Sequence, residues 1–347
     1  MIDLRSDTAT VPTQGMRDAM ARAEVGDEQR REDPTVNELE RRGAELLGQE
    51  EAVYLPTATM ANQIALAILT ERGSELIVEE NAHIMIAELG GAARHSGLQT
   101  RPLPGTAGRL SVDQIRAAHR QSDGFHVPLT GVVALENTHN SSGGRVWPLE
   151  EIEAVTALCR ELGVRVHLDG ARLMNASVAS GVGAAEIGGN FDTVTLCLSK
   201  GLGCPLGALV AGSRELMAKA RREKHAFGGA MRQAGIVAAA GVYALEHHVE
   251  RLAEDHARAR RLAETLEGAG VPIDLEQVET NFVQVDVRPL GLTSAQALEQ
   301  LAAEGVGLTP TMHPGVLRAV THLGIGDDDV ERAGELIPRA LGALARA

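Results

Sequence analysis

The chain has 347 residues, of which 44% are hydrophobic and 2% aromatic, and its formal net charge is −14. This length allows one large and one small domain with a sizeable core, while the acidic balance disfavours nucleic acid and anionic membranes as partners. Because the sequence has no run of about 18 apolar residues and no basic-then-apolar leader at its start, we expect a cytoplasmic protein without a membrane span.

Helix and strand signals alternate along most of the chain. Asp33 and Pro34 give a helix start with proline in the first helical position, and Ser111 with Gln114 forms a capping-box pattern before another helix. Further strands are predicted at 52–55, 75–79, 131–135, 164–168, 194–198 and 206–211, and further helices at 59–69, 148–162, 235–248 and 252–266. This alternation predicts an α/β fold with a mostly parallel central sheet and helices on both faces.

The C-terminal part of the sequence predicts a smaller α+β unit. Its predicted elements are a strand at 282–287, a helix at 294–304, a strand at 317–321 and a last helix from about 327. We therefore predict a large domain at 1–250, with the N-terminal segment at the active site, and a small domain at 251–347. This boundary falls within helical sequence.

An aspartate and a lysine follow two of the predicted buried strands. Asp169 ends the run from Val164, and Lys200 comes just after the run from Val194. A strand–helix–strand unit of about 30 residues brings both strand ends to one edge of the sheet, where open α/β sheets bind their ligands. A lysine amine and a carboxylate there suit pyridoxal phosphate, since the lysine forms a Schiff base and the carboxylate keeps the pyridine nitrogen protonated. A surface lysine is the simpler alternative for such a pair by itself.

The segment 56–62 lies between a predicted strand and a predicted helix. A phosphate group is bound well by the backbone amides of a helix N-terminus, so this segment is the candidate phosphate site. An ordinary helix start would have the same pattern.

Six motifs occur in a fixed order along the chain. They are IDLRSDT at 2–8, REDPTVNELE at 31–40, ENTHNSSGGRV at 136–146, HLDGARLMNA at 167–176, SKGL at 199–202 and GGAMRQAG at 228–235. In this order they resemble the low-specificity L-threonine aldolase family, which consists of fold-type I pyridoxal phosphate enzymes of the β-eliminating lyase superfamily. The resemblance runs over nearly the whole length. It implies the transferase-like fold of that type, in which the strand at 206–211 runs antiparallel to its neighbours.

The resemblance also implies roles for individual residues. His83 would stack on the pyridine ring, His126 would lie near the substrate hydroxyl, and either is a candidate base beside the catalytic Lys200. Arg232 would reach the cofactor phosphate, across a subunit boundary. The expected cofactor contacts are Ala58, Thr59, His83, Asp169, Arg172, Ser199, Lys200 and Arg232, and the expected contacts of the substrate carboxylate are Ser6, Arg172 and Arg318. No residue spacing predicts a catalytic metal.

The implied reaction is cleavage of L-threonine, L-allo-threonine and related L-β-hydroxy-α-amino acids to glycine and an aldehyde. A β-eliminating lyase or a threonine transaldolase would use the same residues, and a non-catalytic protein that binds pyridoxal phosphate is a further alternative. The expected assembly is a homotetramer built as a dimer of dimers. Two departures from the family lie near the expected substrate entrance, namely Gln29-Arg30-Arg31 and Ala87 where the family has aromatic residues. They are explained either by sequence drift on a loop or by a wider, more basic entrance for a bulky or acidic β-substituent.

Overall fold

The structure is a computed structural model that describes residues 1–121 and 126–343. Its strands are β1 (Ile2–Asp3), β2 (Glu51–Leu55), β3 (Glu75–Glu79), β4 (Gln99–Leu103), β5 (Thr130–Glu136), β6 (Arg165–Gly170), β7 (Thr193–Cys197), β8 (Ala208–Gly212), β9 (Phe282–Asp286), β10 (Val306–Gly307), β11 (Thr309–Pro310) and β12 (Val316–Val320). Its helices are α1 (Gln14–Ala21), α2 (Pro34–Leu46), α3 (Ala58–Leu69), α4 (His83–Ile86), α5 (Gly91–Ser96), α6 (Val112–Ala118), α7 (Leu149–Leu162), α8 (Leu173–Ser180), α9 (Ala184–Gly188), α10 (Arg214–Ala226), α11 (Gly235–His247), α12 (Leu252–Gly268), α13 (Ser294–Ala303) and α14 (Asp327–Ala340).

Seven strands form the central sheet in the order β2-β8-β7-β6-β5-β3-β4. Strands β7, β6, β5, β3 and β4 are parallel, whereas β8 runs antiparallel to both of its neighbours. The predicted α/β class, the mostly parallel sheet and the antiparallel strand after β7 are therefore confirmed. The inner strands β3 and β5 are buried on both faces, which explains their nearly continuous apolar sequence.

Strand β4 and helix α10 are among the elements that were not predicted, and neither has a clear apolar pattern. Strand β4 lies at the edge of the sheet, and its residues are half-buried or exposed. Helix α10 has the charged sequence RELMAKARREKHA and buries mainly Met217, Ala220 and Lys224. Hydrophobic periodicity marks only elements that bury an apolar face, so neither of these stands out in the sequence.

The C-terminal residues build a three-stranded antiparallel sheet in the order β11-β12-β9. It shares a second hydrophobic core with α12, α13 and α14. The N-terminal strand joins this part of the molecule, because β1 pairs in parallel with β10 and the Val320 amide donates to the Leu4 carbonyl at 2.8 Å. The N-terminal segment therefore connects the C-terminal core with the edge of the central sheet. The division at residue 250 stays a prediction.

None of the helices in the described ranges is both long and apolar enough to cross a membrane.

Two glycines at helix ends provide a test of the packing. Gly48 and Gly163 both have a positive φ, of 66° and 69°. A Cβ atom on Gly48 would lie 2.4 Å from the Ala185 carbonyl oxygen, whereas a Cβ on Gly163 would have no neighbour within 4 Å. We expect Gly48→Ala to lower the free energy of unfolding by about 3 kcal/mol and Gly163→Ala by about 1 kcal/mol. Urea unfolding of the two variants checks this, and equal losses would contradict the packing around Gly48.

Candidate active site

Asp169 and Lys200 lie at the same edge of the central sheet, because β6 and β7 are adjacent and parallel. Asp169 is paired in register with Thr195, five residues before the lysine. The chain leaves β7 after Cys197, and the Lys200 carbonyl accepts hydrogen bonds from the Gly203 amide at 2.9 Å and from Thr10 Oγ1 at 2.9 Å. The N-terminal segment thus holds the backbone of Lys200 in place. Lys200 takes part in no ion pair among residues 1–121 and 126–343, so its amine is available for chemistry.

The Asp169 carboxylate is almost completely buried, with 1% of the residue exposed. Its Oδ2 accepts from Asn62 Nδ2 at 2.9 Å, and its Oδ1 accepts from the Ala171 amide at 3.1 Å. Both oxygens therefore accept hydrogen bonds from N–H groups. This arrangement holds the carboxylate in one orientation at the end of β6.

His83 opens α4 at the same edge of the sheet. Its backbone amide donates to Glu136 Oε2 at 2.6 Å, and its ring Nδ1 donates to Glu88 Oε1 at 2.9 Å. The hydrogen bond to Glu88 raises the pKa of His83 above 6.5, with a further contribution from the charge of Asp169, and partial burial opposes this shift. The sequence analysis did not single out Glu88, although it lies five residues after His83 and its side chain is fully buried. Glu88 holds the imidazole and controls its charge.

We expect Glu88→Gln to lower the pKa of His83, because it removes the negative charge that raises this pKa. In the wild type the His83–Glu88 pair stabilises the fold fully below pH 6.5, the value for an unperturbed His, and this contribution is lost as the pH rises through the raised pKa. In the variant that loss should shift to lower pH. NMR titration of labelled histidines measures the change directly, and the exposed Glu80→Gln serves as the control. An unchanged His83 titration would contradict this role of Glu88.

Two arginines, the buried Arg172 and the half-buried Arg318, lie side by side next to this edge. Arg172 donates through Nε and Nη2 to the two oxygens of Asp7, both at 2.7 Å. Burial opposes ionisation of Asp7, but the neighbouring Arg172 guanidinium outweighs it and holds the pKa of that carboxyl well below its usual range. Arg318 lies 5.1 Å from the Phe282 ring centroid, on which Arg172 also packs at 4.8 Å. Asp7 is a further site residue that the sequence analysis did not single out.

In the described residues, the Arg318 guanidinium makes fewer hydrogen bonds than the Arg172 guanidinium. Its Nη1 donates to Asn140 Oδ1 at 2.8 Å, while its buried Nε has no partner in the described part of the chain. Burial and the neighbouring Arg172 lower the pKa of Arg318 to about 10, so it stays cationic at neutral pH. A half-buried cation with a buried, unpaired donor is suited to a small anion such as a carboxylate. Ser6 lies next to Asp7 and caps the short turn at 7–9 through its Oγ.

The candidate phosphate segment is the N-terminus of α3. Thr57 caps this helix by accepting a hydrogen bond from the Met60 amide at 3.2 Å. Ala58, Thr59 and Ala61 all lie within the helix, so neither alanine requires a left-handed backbone here. The first amides of the helix point out of its N-terminus, as phosphate binding requires.

Two expected site residues, His126 and Arg232, do not lie beside Asp169 and Lys200 within one chain. His126 lies in an exposed turn that directly follows the segment 122–125, which is outside the described residues. Arg232 is exposed and pairs with Asp27 at 3.3 Å. Ser199 is half-buried next to Lys200, with its Oγ 3.6 Å from Cys197 Sγ.

The two departures from the family, Gln29-Arg30-Arg31 and Ala87, lie apart from Arg172 and Arg318 in this chain. Arg30 pairs with Asp27 at 3.9 Å, and the Arg31 carbonyl accepts a hydrogen bond from Asn37 Nδ2 at 2.8 Å. Ala87 directly follows α4, and its amide donates to the His83 carbonyl at 2.9 Å. Only Ala87 is therefore close to a candidate catalytic residue in the same chain.

His83, Glu88 and Asp169 each have a potential metal-ligand atom, and these atoms lie within 4.8 Å of one another. The Asn62 amide group already bridges the two carboxylates, with hydrogen bonds of 2.8 Å to Glu88 and 2.9 Å to Asp169. The two N–H groups of the Asn62 amide therefore take the place between the two carboxylates that a cation would need. The cluster is a hydrogen-bonded network.

Comparisons with known proteins agree with this geometry. The family described as beta-eliminating lyase matches residues 3–288. A low specificity L-threonine aldolase of Escherichia coli (strain K12) is 43% identical over 332 residues, which cover 95% of this chain and 96% of that protein. The chain belongs to the low-specificity L-threonine aldolase family of the beta-eliminating lyases. A probable low-specificity L-threonine aldolase 2 of Arabidopsis thaliana is 41% identical over 335 residues, covering 95% of this chain and 94% of that protein.

A solved structure shows that the fold agrees as well. A threonine aldolase from Leishmania major superposes with a TM-score of 0.84 at 22% identity, over 98% of this chain and 99% of that chain. The predicted fold-type I architecture of this aldolase family is therefore confirmed.

The side chains at this edge fit pyridoxal phosphate, the cofactor that this family uses. Lys200 offers an amine and Asp169 a buried carboxylate. His83 offers a partly exposed imidazole face, and α3 offers a helix N-terminus. These are the groups needed for the aldehyde, the ring nitrogen, the ring face and the phosphate of this cofactor.

Proposed function

We propose that this chain is a pyridoxal phosphate-dependent L-threonine aldolase that cleaves L-threonine, L-allo-threonine and related L-β-hydroxy-α-amino acids to glycine and an aldehyde. One observation supports this above all: Lys200 and the buried carboxylate of Asp169 lie at one sheet edge, and Arg318, which packs beside Arg172, has a buried Nε without a partner in the described residues. The names of the two aldolase relatives agree with it.

When bound, the cofactor supplies an electron sink that makes cleavage of the substrate Cα–Cβ bond feasible. Lys200 would provide the amine that holds the cofactor. Asp169 would hold the ring nitrogen through its buried carboxylate, which its two N–H donors keep oriented. Arg318, assisted by Arg172, binds the α-carboxylate and so fixes which substrate bond is cleaved.

The β-hydroxyl of the substrate must lose its proton for the aldehyde to leave. His83 is our candidate acceptor, because its Nδ1 is occupied by Glu88 and its Nε2 remains free to act as a base. His126 remains an alternative from the resemblance, on an exposed turn of this chain. A neutral His83 is required for this role, so the rate should rise with pH through the raised pKa of His83.

Product analysis tests the proposal. The full-length holoenzyme is incubated with L-threonine and with L-allo-threonine, and acetaldehyde, glycine, ammonia and 2-oxobutyrate are measured together. We expect acetaldehyde and glycine in equal amounts. Ammonia with the keto acid would indicate a β-eliminating lyase, and release of a new hydroxy amino acid only after addition of a second aldehyde would indicate a transaldolase. No turnover with any β-hydroxy amino acid would indicate a non-catalytic protein, for which a buried carboxylate site at Arg318 has no use.

We further propose a cytoplasmic homotetramer built as a dimer of dimers, the assembly that the family resemblance implies. Arg232 supports a role between subunits, since in this chain it is exposed and its partner is Asp27. Closed symmetry is the usual form of such assemblies. Sedimentation velocity at assay concentration tests this, and a fully active monomer would contradict it.

A further inference from the structure

A chain of buried hydrogen bonds continues behind Asp169, away from the sheet edge. His167 lies two residues before Asp169 on β6 and is completely buried. Its Nε2 is 3.1 Å from Asn62 Oδ1, and its Nδ1 is 2.9 Å from Thr193 Oγ1. Asn62 in turn contacts both Glu88 and Asp169. We call Thr193, His167 and Asn62 the buried relay.

The carboxylates beside Asn62 at one end of the buried relay and the Thr193 hydroxyl at the other end determine where each proton lies. Asn62 faces two carboxylates, which accept hydrogen bonds only, so its NH₂ group points to them and its Oδ1 points to His167. His167 must then carry its proton on Nε2, and its Nδ1 must accept from the Thr193 hydroxyl. Burial lowers the pKa of His167 to about 4, although the charge of Asp169 opposes this. His167 is therefore neutral at neutral pH, and the tautomer with its proton on Nε2 satisfies both side-chain hydrogen bonds.

We propose that His167 and Thr193 are positioning residues, which fix the Asn62 amide so that one NH₂ group holds the carboxylates of both Asp169 and Glu88. This inference rests on the proposed function, because it assigns the support of its cofactor and base residues. Asn62 donates one N–H to each carboxylate. The residue that faces the ring nitrogen and the residue that holds His83 are thus oriented by the same side chain.

The chain offers a matched control on the same strand. Thr195 lies two residues after Thr193 on β7 and is equally buried. Its Oγ1 has no hydrogen-bond partner in the described part of the chain. Thr193→Val and Thr195→Val are the same chemical change at neighbouring buried positions, and only the first removes a hydrogen bond of the buried relay.

The test uses the full-length holoenzyme with His167→Phe, Thr193→Val and Thr195→Val. Three quantities are measured: the pH at which the absorbance of the bound cofactor changes, the rate of cofactor loss on dialysis, and kcat and KM. In His167→Phe the Asn62 carbonyl loses its donor and the amide can rotate away from Asp169. We expect cofactor loss about tenfold faster, kcat about tenfold lower and KM within about twofold, since one hydrogen bond to a charged group is weakened and Arg318 is untouched.

We expect the absorbance change of His167→Phe to shift by about half a pH unit or more, and Thr193→Val to show smaller effects in the same direction. Thr195→Val should match the wild type in every quantity. Wild-type absorbance and cofactor loss in a folded His167→Phe would overturn the proposal; if that variant does not fold, the same result in Thr193→Val would do so. Both cofactor measurements are independent of the reaction, so shifted values without aldehyde release would refute the proposed function and leave the buried relay standing.

Discussion

Replacing Lys200 with alanine should lower kcat/KM for L-threonine by roughly 1,000-fold or more, because the enzyme loses both its nucleophilic amine and a group that transfers protons during product release. Lys200 follows β7 at the edge where Asp169 ends β6. Its backbone carbonyl, held by Thr10 and Gly203, is unchanged by the substitution. The variant should therefore fold and lose activity. Coupled assay of acetaldehyde release under saturating cofactor measures the effect.

Lys219→Ala is the matched control for this substitution. Lys219 is half-exposed on α10 and pairs only with the exposed Glu215, at 2.8 Å. Such a surface pair contributes about 0–1 kcal/mol, and the control should keep its full activity. A Lys200→Ala variant that retains a tenth of the wild-type kcat/KM would show that another residue carries the cofactor.

Replacing Arg318 with leucine should lower kcat/KM by about 10- to 100-fold, since it removes charge-assisted hydrogen bonds worth about 1.5–3 kcal/mol. Arg318 Nε is buried and has no partner among residues 1–121 and 126–343, and Nη1 donates to Asn140. Arg172 cannot replace it fully, because two of its donors are held by Asp7. Arg318→Lys keeps the charge without the planar fork, so it should lose less activity than the leucine variant. Steady-state kinetics with L-threonine gives both values.

Arg288→Leu is the control for Arg318. Arg288 follows β9 in the same small sheet region, is largely exposed and pairs with Asp286 at 2.7 Å. We expect its kcat/KM to stay within about twofold of the wild type. Equal losses in Arg288→Leu and Arg318→Leu would indicate a general effect on the C-terminal sheet, and the assignment of Arg318 to the carboxylate would fail.

The sequence was sufficient for the features that depend on local patterns. The strands that end at Gly170 and Cys197 are buried on both faces, so their apolar residues stand out and their ends could be located approximately. Parallel pairing then brings Asp169 and Lys200 to one edge without further information. The antiparallel strand β8 was expected from the family resemblance.

The contacts that complete the site join residues far apart in the chain. Asp7 binds Arg172 across 165 positions, and Asn62 binds Asp169 across 107 positions. No local pattern encodes such a pairing, so Asp7 was not singled out as a site residue and Asn62 was noted only as part of the segment 56–62. Glu88 was not singled out either, although it lies only five residues from His83. Asp7 and His167 do lie within the motifs that carry the family resemblance. A polar residue inside an otherwise buried strand, such as His167, is the signal that sequence reasoning could have used, because buried polar groups need a partner.

Reduction of the wild-type holoenzyme with borohydride, followed by peptide mapping, tests the central claim most directly. Borohydride makes the bond between the cofactor and its lysine permanent, and mass spectrometry then locates the label. We predict a pyridoxyl label on the peptide that contains Ser199 and Lys200, with one label per chain. A label on another lysine, such as the buried Lys224 that pairs with Glu28, or no label at all in a protein saturated with pyridoxal phosphate, would contradict the account.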